Sequence, residues 1–281
     1  MQASQLRKLT VGDDHPTVIS FDMALYEKVV QLLDARPDLK RTVVPRLGEL
    51  HVVMAALRAL GVSMENSGID DAWIEADVYG SATTRQILKC THYKRALRAH
   101  IYSYVAVYEM ALEEFFKDHP HLKVVCLMAT GGVETACSEG NKHTKSESVK
   151  EANTILLEAL TTNDVITLFQ EWENKRSEDA MFKAMMNYLH RVEVILFFVA
   201  ATRNADLELH LQAGEQLSKL LFAFDRIKYK RLLPIYIADM YDLRTNHPET
   251  WKELQAGNIA VTKNDIPFGS IGADHACEHL N

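Results

Sequence analysis

Three sets of residues have types and spacings that suit chemistry. The first is acidic. Asp22 closes a short β-branched and aromatic run, Thr17 to Phe21, and Glu278 lies in a helical stretch near the other end of the chain. Carboxylates at element ends are where metal-dependent phosphoryl-transfer sites are built, because paired Mg²⁺ ions need hard oxygen ligands held a few Å apart. An Asp before a helix is also an ordinary N-cap, and that is its commoner use. The second set is His275-Ala-Cys277-Glu278-His279, an HxxEH pattern with two His one helical turn apart. A catalytic zinc needs a third protein ligand. Only Leu280 and Asn281 follow, so adventitious zinc binding through His275, Cys277 or His279 is expected rather than hydrolysis. The third set is basic: Lys94, Arg95 and Arg98 beside Tyr93, and Lys228, Lys230 and Arg231 beside Tyr229. Cations interleaved with aromatics hold phosphates and stack on bases. More often such a run is a solvated helix face with its tyrosine in the core.

The elements that must position these residues are mostly helices. Twelve Gly and seven Pro in 281 residues leave long uninterrupted stretches, and 47% hydrophobic with 25% charged residues is a globular profile. Residues 17–22 read as a strand, 24–33 as a helix, 42–44 as a second strand and 50–64 as a second helix, so the first 65 residues form a small α/β portion. Helical spacing then continues over roughly 69–78, 81–89, 92–117, 149–160, 163–174, 178–203, 206–223 and 227–244. The polar stretch 137–148 reads as a mobile loop, 258–262 as a returning strand, and 273–280 as the beginning of a terminal helix. Three parts follow: 1–65, a helical domain over 66–256, and 257–281 completing the α/β part.

Composition narrows the function classes. A net charge of −7 is the wrong sign for a protein that coats nucleic acid, although a local basic patch fits within it. Four cysteines without paired spacing point to a reducing compartment, and the first residues have no apolar core of a secretory signal. The longest apolar run, Val194 to Ala201, falls short of the roughly 20 residues needed to span a bilayer. An intracellular location, nuclear or cytoplasmic, is expected. No phosphate-binding P-loop, dinucleotide fingerprint or GxSxG elbow occurs.

The strings VISFDMALYEKVVQL, VPRLGELHVVMAALRALGVSMENSGIDDAWIEADVYGSATTRQIL, FVAATRNADLELHL, FDRIKYKRLLPIYIADM and GNIAVTKNDIPFGSIGADHACEHLN resemble a group of uncharacterised, multi-copy animal proteins derived from mobile elements. That resemblance extends to RNase H-like transposases of the hAT and Mutator types. It implies a partial RNase H-like fold interrupted by a large helical insertion. Asp22 and Glu278 would stand for the second and third acids of a DDE triad and hold Mg²⁺ or Mn²⁺, with His51 in support. A strand carrying the first acid would need about twenty-five residues. Residues 1–16 are too short for it, and Asp13 and Asp14 lie in a polar lead-in. The expectation is a truncated transposase-like fragment, ancestrally a Mg-dependent DNA-cleaving enzyme and now inactive, with weak DNA binding. The alternative is a non-catalytic helical protein-binding or scaffold protein. Strands 17–21 and 258–262 should share one sheet with Asp22 and Glu278 across a common cleft, and His51 should be mostly buried.

Overall fold

The computed structural model describes residues 15–128, 145–262 and 268–280, with the backbone alone for 145–153 and 279–280. The fold is predominantly α-helical with a two-stranded parallel sheet. Strand β1 is Thr17–Phe21, whose β-branched and aromatic side chains favour extended backbone. Asp22 then caps helix α1, Met23–Ala35, accepting the Leu25 amide at 2.8 Å. A 3₁₀ turn, Pro37–Arg41, returns the chain to strand β2, Val43–Leu47, which pairs with β1 from Thr17↔Val43 to Phe21↔Leu47. Thr17 donates to the Thr42 carbonyl and Gly48 to that of Phe21, so Pro45 faces away from β1. Proline has no N–H to offer a further strand on that edge.

Among the described residues the sheet ends there, which corrects the expectation of a returning strand at 258–262. Helix α11, Pro248–Glu253, runs into a π turn, Leu254–Asn258, closed by Gly257 at φ 105°. Val261 makes one isolated antiparallel bridge with Ile271. Ile259, 2% exposed, fills the core. Ile259, itself β-branched, therefore mimics a strand residue while serving as a core plug, whereas Val261 is exposed.

The remaining helices are α2 (Glu49–Ser63), α3 (Ile69–Glu75), α4 (Ser81–Leu88), α5 (Tyr93–Asp118), α6 (Lys145–Thr162), α7 (Val165–Lys175), α8 (Ala180–Asn204), α9 (Leu207–Ala223), α10 (Ile227–Asn246) and α12 (Ala273–Leu280). Residues 120–128 are also helical. Of the loop expected at 137–148, positions 145–148 belong to α6 and the rest lie outside the described residues. One described helix, α8, is long and apolar enough to cross a membrane by length and composition, and 39% of that window is buried inside the protein. Leu189, Val192, Ile195, Phe198 and Ala201 are buried along it, as in a core helix.

Two compact units emerge: Met1–Ala99 with Glu193–Asn281, and His100–Val192. In the first, α9 packs along α10, and Gly214 lets Ile237 approach. Buried His210 meets the Tyr236 hydroxyl at 3.2 Å, and burial pushes its pKa down to about 3, so it is neutral. In the second unit Phe115, Phe169, Trp172 and Phe182 stack edge to face, and Trp172 donates to Asp118 at 3.1 Å. There His100 lies 3.1 Å from the Tyr188 hydroxyl, and burial lowers its pKa to about 4.

Gly61 sets the spacing of α2 and α4. A Cβ there would run into the Leu88 carbonyl oxygen, which is backbone and cannot rotate away. Gly61→Ala gains helix propensity of about 0.5–1 kcal/mol, but overpacking costs about 1–3 kcal/mol. The expected outcome is a net loss of stability in urea denaturation, and a stabilised variant would contradict the close approach.

Candidate functional site

Helix α2 begins after Gly48, an N-cap residue with no side chain to accept the first amides. Those amides need acceptors. Asp274, in the first turn of α12, supplies them: Oδ1 accepts the Leu50 amide at 3.2 Å and Oδ2 the His51 amide at 3.3 Å. The same Oδ2 lies 3.1 Å from His51 Nδ1. Facing a carboxylate, Nδ1 carries the proton. The other ring nitrogen, Nε2, is 3.7 Å from Oε1 of Glu278, one turn further along α12. The imidazole therefore sits between two carboxylates of one helix.

Two glycines leave room for this. A Cβ at Gly48 would run into the Asp274 carboxylate, and one at Gly272 would lie 2.8 Å from Glu49 Oε2 and 2.9 Å from Asp274 Oδ1. Directly beneath, Arg46 and Glu49 form a buried ion pair, and Arg46 Nη1 donates to the Ile259 carbonyl at 2.6 Å.

The hydrogen bond that His51 donates to Asp274 raises the His51 pKa; burial opposes it, and the charges of Asp274, Glu278 and Asp22 add to it. Burial works to raise the Asp274 carboxyl, but the His51 ring and the Leu50 and His51 amides outweigh it and leave its pKa lowered. The site is a clamp in which two carboxylates favour the imidazolium form of His51 and join it to α12 at the start of α2.

The sequence candidates separate on the structure. His51 and Glu278 come together, with His51 36% exposed rather than mostly buried. Asp22 caps α1 and acts on His51 only as the weakest of three charges. Among the described residues no three His, Cys, Asp or Glu stand where they could hold a metal ion, so this donor set does not fit paired Mg²⁺. Of the zinc pattern, His275 packs edge-on against Tyr93 at 5.7 Å and Cys277 is an exposed thiol; the His279 side chain lies outside the description. Lys228 and Arg231 both pair with Glu27, Lys230 pairs with Asp225, and Arg95 reaches Gln86 at 3.4 Å. Lys94 and Arg98 are exposed on α5. Asp274 was missed by sequence reasoning, and its only signal was the uncapped Gly-Glu start of α2.

A family model described as Domain of unknown function (DUF8702) matches residues 3–281. No curated protein and no solved structure matches the chain. This match, with a sheet of two strands, corrects the resemblance to mobile-element proteins and RNase H-like transposases. The blocks that carried it are, in the structure, one strand–helix–strand unit and the helices packed on it.

The clamp has a pH signature. His51, raised, contributes stability that is complete below the ordinary histidine value near 6.5 and is lost as pH rises through its folded value. Asp274, lowered, contributes stability present above the ordinary value near 3.9 and lost as pH falls through its folded value. Docking of α12 should be tightest between those two reference values. Amide exchange along α12, corrected for intrinsic rates, is expected to quicken from pH 6 to pH 8 in the native chain and to lose that dependence in His51→Gln. Equal pH dependence in both proteins would refute the clamp.

Proposed function

We propose that this chain, which belongs to the family Domain of unknown function (DUF8702), is a non-catalytic protein-binding module that receives a basic amphipathic helix. The observation that carries this reading is a methionine-lined groove within the His100–Val192 unit, about 240 Å³ in volume, between α5, α7 and α8. Met110, Met181, Met185 and Met186 line it with Trp172 and Phe182, and Met110 and Met181 are 56% and 72% exposed. Unbranched, polarizable methionine side chains re-pack around different apolar partners, and such grooves suit the apolar stripe of a helix.

Charge selects the kind of helix. The unit holds fourteen acidic and nine basic residues, a net of −5 of the chain's −7, and Glu114 and Asp179 stand at the groove. Complementary potentials steer encounter and suppress wrong partners. The thiols of Cys90 and Cys277 fit the reducing interior of a cell, where such a module would work.

The test uses methionine-methyl NMR with two model helices, one of leucine and lysine and one of leucine and glutamate. The lysine helix should give saturable shifts confined to Met110, Met181, Met185 and Met186, and the glutamate helix none. Met181→Lys places a cation on an exposed wall and should weaken binding of the lysine helix by about tenfold, about 1.4 kcal/mol. Shifts spread evenly over all methionines, or equal for both peptides, would dismiss the groove as the binding site.

A further inference from the structure

Within an acidic chain, four cations gather around one pocket. Arg58 from α2, Arg85 from α4, Lys89 just past the end of α4 and Arg226 just before α10 line a space of about 340 Å³. Val62 and Leu88 give it an apolar wall, and Glu65 is the one carboxylate among its lining residues. The arrangement follows from the backbone: Gly61 allows α2 to touch the Leu88 carbonyl, which sets Arg58 and Val62 against Arg85, Leu88 and Lys89.

These cations differ from their neighbours. Lys228, Lys230 and Arg231, a few residues beyond Arg226, each have a carboxylate partner. Among the described residues Arg58, Arg85, Lys89 and Arg226 form no ion pair. Arg226 is instead held by donation from Nη2 to the Arg58 carbonyl at 3.0 Å, and its Nε is buried without a partner. Arg85 is held by its Nε, which donates to the Ser81 carbonyl at 3.3 Å. Four cations against Glu65 leave the pocket at +3. Like charges held together repel, and a bound anion relieves that repulsion.

We infer that this pocket binds a compact, multiply charged phosphate, as a phosphorylated small molecule whose phosphoryl oxygens meet Arg58, Arg85, Lys89 and Arg226 and whose remainder rests on Val62 and Leu88. Guanidinium forks match phosphate oxygens in pairs, whereas a lysine adds a point charge. A volume of about 340 Å³ lies within the range of small-molecule sites and is far too small for a nucleic-acid duplex. The site is independent of the methionine groove, and all its residues lie in the unit formed by the two ends of the chain.

Pyrophosphate is the probe, titrated calorimetrically into the full chain, with citrate and sulfate as comparison anions. Saturable one-to-one binding is expected, tighter for pyrophosphate than for citrate or sulfate, with a rise in melting temperature as site occupancy grows. Arg58 and Lys89 have exposed side chains, so Arg58→Gln and Lys89→Gln should fold normally, as the unliganded melting temperature will show, and each should weaken pyrophosphate at least tenfold. Lys252→Gln, which changes an exposed cation outside the pocket, should leave the affinity unchanged. No saturable binding up to about 1 mM, an affinity unaffected in the Arg58→Gln, Lys89→Gln double variant, or an equal loss in Lys252→Gln would overturn the site. Tighter binding of citrate than of pyrophosphate would overturn the assignment to phosphate.

Discussion

The buried guanidinium of Arg46 is the constraint around which the rest of the first unit is arranged. Burial works against its charge, but Glu49, the Tyr236 hydroxyl and Asp274 more than offset that and hold its pKa raised. Burial likewise raises Glu49, while Arg46 pulls it down. One side chain thereby joins the end of β2, the first turn of α2, the Ile259 carbonyl and α10. A buried pair is a weak source of net stability, yet removing one partner strands the other charge at about 3–5 kcal/mol. The pair therefore makes wrong arrangements expensive.

Its geometry reaches the surface through Gly272, which lies against both Glu49 and Asp274. With no side chain at Gly272, α12 can start close enough for Asp274 to complete the first turn of α2. The positive end of α2 thus finds its anion in another helix. His51, partly exposed above this cap, is where solvent protons can act on an otherwise buried arrangement.

Much of the helical frame was legible because amphipathic spacing is local. The spans 206–223 and 227–244 read in the sequence correspond to α9 and α10, and Asp22 ahead of Met23 read as a cap and is one. Shorter elements escaped. Helix α11 has only six residues, too few for periodicity, although Pro248 at its first position marks such a start. The run 258–262 misled because β-branched residues fill cores as readily as strands, and Gly257 at φ 105° turns the chain just before it. The cap from Asp274 and the cation pocket draw on segments far apart in sequence, which no local pattern can pair. The ion pair of Arg46 with Glu49 has i, i+3 spacing, but its burial is set by α10 and by Ile259.

The bond from the Leu50 amide to Asp274 spans 224 residues. During synthesis, α2 leaves the ribosome with its leading amides unanswered by protein and waits while the 224 residues that separate Leu50 from Asp274 are made. The His100–Val192 unit is contiguous in sequence and is synthesised well before then. Contacts of such long separation are slow to close, because loop entropy is lost before they form. The unit that joins residues 1–99 to 193–281 therefore closes its longest contacts after the contiguous unit has been made, and α2 stays without its acceptor in the meantime.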